Sequence, residues 1–253
     1  MSFDVAAEAY DRFMGRYSAL LSRQMADLAS VTHGQRALDV GCGPGALTTE
    51  LVGRVGATHV AAVDPSDPFV EAAQARHPGV DVRKASAESL PFPDGAFDAA
   101  LAQLVVHFMS DPVAGLSEMA RVTRSGGVIA ACVWDHGGAQ GPLSLFWSAA
   151  REMDPTVVDE SELAGAREGH LGSLLEAANL GGIDSTVLVA DLEMPTFDAW
   201  WEPFMHGVGP AGSYVGHLEP DAQMGLRERC RALIPGEPFT VRARAWAARG
   251  VVQ

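Results

Sequence analysis

Apolar positions in the first half of the chain gather into short runs, and the segments between the runs repeat with helical spacing. Arg36–Gly41 (RALDVG), His59–Val63 (HVAAV), Val80–Ala85 (VDVRKA), Phe97–Gln103 (FDAALAQ) and Gly127–Trp134 (GVIAACVW) have the length and Val/Ala content of strands. Helical spacing follows the first run from Ala46 to Arg54 and the second in DPFVEAAQARH, with Asp67 as the expected N-cap; it precedes the fifth over Pro112 to Arg124. Strands that alternate with helices predict a parallel, doubly wound α/β sheet, with its ligand outside the carboxyl ends of the strands where their order reverses.

Beyond Asp135 the pattern loosens. Gly137, Gly138, Gly141 and Pro142 mark a loop, LSLFWSAARE reads as a helix, and Asp154 to Gly169 is polar and acidic, so 137–169 is read as an insertion. A helix from Leu171 to Asn179, closed by Gly181-Gly182, leads to a sixth strand near Asp184 to Leu192. A second insertion, 196–235, holds two predicted helices, and Phe239 to Gly250 alternates as a seventh strand should. The expected organisation is one domain over 1–253, with N-terminal cap helices in 1–30, a ligand-binding core in 36–134, and the two insertions on the acceptor side.

Composition narrows the partners. The 253 residues are 47% hydrophobic and 20% charged, as in a soluble globular domain. Eighteen Lys and Arg against 32 Asp and Glu leave a formal net charge of −14, which repels phosphate backbones and anionic lipid. Neither nucleic acid nor membrane is therefore an expected partner, and a monomer or homodimer is expected. Cys42, Cys132 and Cys230 have no spacing that implies a disulfide framework or a metal site. The start of the chain lacks a basic segment followed by an apolar stretch, and no run of 18 apolar residues occurs, so a cytoplasmic location is expected.

Gly41-Cys42-Gly43-Pro44-Gly45 puts glycines where a strand must turn into a helix, which lets backbone N–H groups approach a nucleotide-like ligand. Asp64, at the end of the second strand, is set to receive both hydroxyls of a ribose. Gly41, Gly43 and Ala46 also satisfy the G-x-G-x-x-G/A pattern of nicotinamide cofactors, so the turn alone leaves an NAD(P)-dependent oxidoreductase open.

Four motifs in order carry a more specific signal: ALDVGCGPGALT (Ala37 to Thr48), AAVDPS (Ala61 to Ser66), SAESLPFPDGAFDAALAQLVVHF (Ser86 to Phe108) and EMARVTRSGGVIA (Glu118 to Ala130). Together they resemble the class I S-adenosylmethionine (SAM) dependent methyltransferases of the type 11 group, which includes ubiquinone- and menaquinone-biosynthesis enzymes. The resemblance implies a Rossmann-like seven-stranded sheet with its last strand antiparallel, and SAM as methyl donor with S-adenosylhomocysteine as product. It also implies a small-molecule acceptor methylated at oxygen or carbon. On the same basis Asp39, Gly41, Cys42, Gly43 and Gly45 cradle the methionine part of SAM, Asp64 holds the ribose with Pro65 beside it, and Ala87 and Glu88 form the adenine turn. Ser86 stands where the family usually has Asp or Asn, a departure at the adenine amino contact. Gln103 and Leu104 flank the sulfonium, with His107 in the same crevice. AAEAYDRFMGRYS resembles a cap helix in which Tyr10 and Arg16 close over SAM, Arg16 pairing its carboxylate.

A sulfonium is an already activated methyl donor, so a catalytic base is optional. For a hydroxyl acceptor His107 is the candidate base, and a packing role is its competing reading. His136, His206 and His217 read as loop polarity. Trp134, Trp147, Trp200, Trp201 and Phe204 read as core of the added helices in preference to a wall for a flat acceptor. The acidic run Asp154, Asp159, Glu160, Glu162 reads as a solvated face, and Cys42 as a small turn filler. Two rivals stay open: the oxidoreductase, although no YxxxK sequence is present, and a non-catalytic SAM-binding descendant that would lack an open acceptor pocket.

Overall fold

The computed structural model describes residues 7–253. Its first six residues, part of the expected 1–30 cap segment, lie outside that description. The chain begins with α1 (Ala7–Tyr10), a π-helical turn (Asp11–Gly15) and α2 (Arg16–Leu28). The core follows as β1 (Ala37–Val40), α3 (Ala46–Val55), β2 (Val60–Asp64), α4 (Asp67–Arg76), β3 (Asp81–Lys84), β4 (Phe97–Gln103), α5 (Pro112–Val122) and β5 (Thr123–Trp134). Then come α6 (Ser144–Met153), α7 (His170–Ala177), β6 (Gly181–Met194), α8 (Phe197–Trp201), α9 (Gly209–His217), α10 (Pro220–Ala232) and β7 (Phe239–Val251).

The strands form one sheet in the order β3-β2-β1-β4-β5-β7-β6. Pairing is parallel from β3 to β5, and β7 runs antiparallel to both β5 and β6. This is the Rossmann-like sheet with an antiparallel last strand that the motifs imply. β1 and β2 are buried along their whole length. That explains why they read as continuous apolar runs: helices cover both faces, and alternate residues serve different layers. Ala37 and Leu101 join a cluster with Leu21, Met25 and Leu51 of α2 and α3, whereas Leu38, Val40 and Ala102 join Leu116 and Met119 of α5 and Leu175 of α7.

Several boundaries differ from expectation for local reasons. α4 begins at Asp67 itself, with Ser66 at the N-cap position, and the Asp67 carboxylate accepts from Lys84 Nζ at 2.7 Å. α5 ends at Val122 and not Arg124, because Thr123 already pairs with Phe97 across the sheet. α7 stops at Ala177; Asn179 takes the left-handed conformation that ends the helix, and Gly181 already belongs to β6. The 196–235 segment holds three helices and a 3₁₀ turn (Glu202–His206) where two helices were expected, since Gly207 at φ +70° breaks the first stretch and Gly209-Pro210 restarts it.

The two inserted segments and the N-terminal helices share one aromatic cluster. Phe204 stacks on Phe146 at 4.7 Å between ring centroids and meets Phe13 edge-on at 5.0 Å. Trp147, Trp200 and Trp201 are buried in the same cluster, so these rings are core, as read from the sequence. The Gln24 side chain of α2 donates to the Val189 carbonyl (2.9 Å) and accepts from Val189 N–H (3.2 Å), capping the outer edge of β6. Among the described residues no helix is long and apolar enough to cross a membrane.

Phe204 is fully buried where three segments meet. Phe204→Ala is expected to cost about 3–5 kcal/mol. Urea unfolding checks this: the midpoint should fall with the slope unchanged, and a cost below about 1 kcal/mol would mean that the three segments do not share a core.

Candidate functional site

At the carboxyl ends of β1, β2 and β4 the sheet splits between neighbouring crossovers, and a crevice of about 360 Å³ opens there. The turn after β1 makes its floor. Gly41 N–H and Cys42 N–H both donate to the Val63 carbonyl (2.8 and 3.0 Å), folding the turn back on β2. At Gly41, φ is +71° and a Cβ would lie 2.3 Å from Val105 Cγ2, so only glycine fits between this turn and the chain leaving β4. Gly43, at φ +52°, donates its N–H to Asp64 Oδ2 at 2.9 Å, and Ser66 N–H reaches Asp64 Oδ1 at the same distance. Burial pushes the Asp64 carboxyl up while these two donors pull it back.

Most of the residues singled out in the sequence meet here. Tyr10, Gly41, Gly43, Asp64, Pro65, Ser86, Ala87, Glu88, Gln103 and Leu104 line the crevice. Asp39 and Cys42 line a narrow adjoining recess with Tyr10 and Gln103. The Asp39 carboxylate accepts from Thr48 Oγ1 at 2.6 Å, and burial drives its pKa up to about 7. Burial, with Asp39 and Asp64 nearby, also holds the Cys42 thiol well above its usual range. Cys42 is a protonated filler, as read from the sequence. The Gln103 amide donates to the Ser18 carbonyl (3.0 Å) and Ser22 Oγ (3.3 Å), which leaves its buried Oε1 without a partner. Glu88 Oε1 is taken by Ser110 N–H at 2.7 Å.

Two candidates do not join them. Gly45 is the N-cap of α3, with its carbonyl accepting from Thr49 Oγ1, and it lines neither space. Arg16 faces a separate cleft bounded by Asp11, Glu50 and Arg76, its Nη1 lying 3.8 Å from Met194 Sδ. Six positions from Tyr10 along a helical segment, it cannot share the face that Tyr10 presents. Phe69, whose ring lies 5.2 Å from Tyr10, Val105 and Met109 complete the crevice and escaped the sequence reading. Phe69 and Met109 are apolar residues outside the four motifs, and Val105, inside the third, carries no chemistry that sets it apart from its neighbours.

A second, smaller cavity of about 40 Å³ adjoins the first and shares Tyr10, Leu104 and Phe108 with it. Leu104, between them, adopts φ +62°, a left-handed conformation that costs a non-glycine residue roughly 1–2 kcal/mol. His107, His136, Glu160 and Trp134 face this cavity. Two expectations are corrected here. The His136 side chain is buried instead of exposed loop polarity, and Glu160 is 4% exposed instead of part of a solvated face. The Glu160 carboxylate turns inward because Trp147 Nε1 of α6 donates to it at 3.0 Å; Asp159 beside it pairs outward with Arg151. His136 Nε2 lies 3.9 Å from Glu160 Oε1, a distance that would suit an ion pair. Burial nevertheless lowers His136 to about 4 and raises Glu160 to about 7, so desolvation outweighs their attraction and the imidazole is neutral at pH 7. Burial also holds His107 well below its usual range, with His136 adding to the effect.

The strand order, the glycine turn tied to Asp64, and the crevice at the reversal of strand order define a Rossmann-like methyltransferase fold. Residues 38–131 match the methyltransferase domain family. Over these residues the chain is similar to the class I SAM-dependent methyltransferase domains of the type 11 group. Among characterised relatives, the chain is similar to a malonyl-[acyl-carrier protein] O-methyltransferase of Erwinia billingiae, 35% identical over 128 residues, covering 51% of this chain and 50% of that protein. The chain thus spans about half the length of the curated relatives it matches. Among solved structures it superposes on a SAM-dependent methyltransferase of Thermotoga maritima with a TM-score of 0.56 at 18% identity, covering 97% of this chain and 99% of that one. It also superposes on geranyl diphosphate C-methyltransferase of Streptomyces coelicolor, a structure in complex with S-adenosyl-L-homocysteine, with a TM-score of 0.55 at 16% identity, covering 94% and 80%.

Because the Asp39 pKa is raised from 3.8 to about 7 on folding, its contribution to stability is present at pH 4 and is lost as the pH rises toward 7. Asp39→Asn should therefore lose less stability than the wild type between pH 4 and pH 7.5, as measured by urea unfolding at both. Equal losses in the two proteins would show that Asp39 ionises freely in the fold.

Proposed function

We propose that this chain transfers the methyl group of SAM to a small-molecule acceptor, at oxygen or carbon, by in-line displacement. The observation that carries the reading is the adjacency of the two cavities. A crevice with the features of a nucleoside site shares Tyr10, Leu104 and Phe108 with a second space suited to an acceptor.

The residues present suit the cofactor. Asp64, held by Gly43 and Ser66 N–H groups, presents its carboxylate to the ribose hydroxyls, with Pro65 beside it. Ser86, Ala87 and Glu88 lie along the adenine side. Glu88 Oε1 is already engaged by Ser110, so backbone groups of this loop and Ser86 supply the polar contacts there. The orphaned Gln103 Oε1 and the Asp39 carboxylate suit the positive amino end of the ligand, over the Gly41–Gly43 turn with Cys42 as its filler. Tyr10 covers the mouth. Gly45 shapes α3 without touching the ligand, and Arg16 has no contact role.

SAM supplies a methyl group already activated on a sulfonium. The chain's own work is to align the acceptor with that methyl and to keep water out. Leu104, strained at the junction, and the Tyr10 and Phe108 rings border both spaces and so stand where alignment takes place. The helices of 137–169 and 196–235 and the N-terminal cap close the acceptor side of a single domain, which supports a catalytic over a purely sensory role. The acidic net charge and the lining of the cavities favour a small molecule over nucleic acid as acceptor.

Calorimetric titration tests the reading. S-adenosylhomocysteine should bind in the micromolar range, and NAD and NADP should give no heat of binding. Asp64→Ala should weaken S-adenosylhomocysteine by about 1–3 kcal/mol through loss of charge-assisted hydrogen bonds. Unchanged affinity in a folded variant would remove Asp64 from the ribose site.

A further inference from the structure

We propose that the acceptor is a neutral, largely apolar compound that inserts one ring-sized group bearing a hydroxyl into the cavity beside Leu104, and that His107, His136 and Glu160 select this hydroxyl over a carboxylate. The inference rests on the methyltransferase reading for the identity of the donor. Its account of the acceptor comes from the cavity itself.

Three observations carry it. The first is size: about 40 Å³ leaves room for roughly three water-sized spheres, the bulk of one six-membered ring. The second is charge. Among the described residues no lysine or arginine lines the cavity and Glu160 is its one acidic group, so an anionic acceptor would enter unpaired beside a carboxyl. Of the arginines that flank Glu160 in the sequence, Arg151 is committed to Asp159 and Arg167 to Glu162. The third is unsatisfied hydrogen bonding. His107 Nδ1, His136 Nε2 and Trp134 Nε1 are all buried without a partner, and all three belong to residues that line this one space. Buried polar atoms are rarely left unpaired, and three around one cavity point to a ligand with a single small polar group that both donates and accepts. A hydroxyl does both; an ionised carboxylate only accepts.

The step balances within these groups. The acceptor oxygen forms the new O–C bond as the S–C bond of the donor breaks, and the bonding pair stays on sulfur. The hydroxyl proton passes to His107 Nδ1, a buried nitrogen without a partner that accepts when the neutral ring carries its proton on Nε2. Glu160 acts through His136 as a positioning residue: fixed by Trp147, it keeps a negative or neutral oxygen, never a positive group, behind the imidazole pair.

Phenol and benzoate are the probes, nearly matched in shape and differing in the polar group. Dissociation constants are measured by ligand-observed NMR on the full chain, with and without S-adenosylhomocysteine. Phenol should bind at least tenfold more tightly than benzoate in both conditions. Glu160→Gln should narrow that ratio by at least threefold, whereas a merely structural role would weaken both probes alike. Benzoate binding as tightly as phenol, or neither binding to protein that takes up S-adenosylhomocysteine, overturns the proposal. Should Glu160→Gln fail to fold, the wild-type ratio decides alone. Selective phenol binding by protein that does not bind S-adenosylhomocysteine would support this cavity's selectivity while overturning the cofactor reading.

Discussion

The closeness of the turn after β1 to the segment leaving β4 governs the site. Gly41 passes Val105 with no space for a Cβ, and this contact sets how the two strands diverge beyond the sheet. From it follow the crevice above Asp64, the strained backbone at Leu104, and the position of the second cavity behind that residue. A bulkier residue at 41 would push the two strand ends apart, and each polar group that depends on their spacing would lose its register. Neither β1 nor β4 contains a residue whose chemistry alone defines a site; their separation does.

The parallel core was readable because its physics is local. Runs such as VAAVD and ALDV are buried on both faces and so carry no polar alternation, and the glycines that follow them have conformational reasons to be there. The residues that line the crevice lie within a few positions of strand ends, which is why motif spacing singled out so many residues that the fold brings together there. Arg16 lies in another cleft for the converse reason. Its expected place depended on which face a helix turns toward the sheet, and the π-helical turn at Asp11–Gly15 intervenes, a feature that spacing does not reveal.

The acceptor side was far less legible. Glu160 sits in a run of acidic residues that looks solvated, and only the Trp147 indole thirteen positions earlier makes it an interior group. His136 follows a strand and precedes glycines, as loop histidines do. Its burial comes from chain segments distant in sequence. The second cavity is a tertiary property: it arises where 137–169, 196–235 and the N-terminal helices fold over one end of a sheet whose own pattern says nothing about them.

The Gln24 side chain pairs with both backbone groups of Val189, 165 residues further on, and Arg249 Nη1 reaches the Leu28 carbonyl at 3.3 Å. α2 is thus anchored to strands made last, although it is made among the first. The parallel core from β1 to β5 already offers α2 a seat, against Leu51 of α3 and Gln103 of β4, before β6 and β7 emerge. The late strands add a clamp on its other side, and closing so long a loop carries a chain-entropy cost that the early contacts do not. The helix over the crevice is therefore held by two sets of bonds made at different times in the life of the nascent chain, and only the second ties it to the far edge of the sheet.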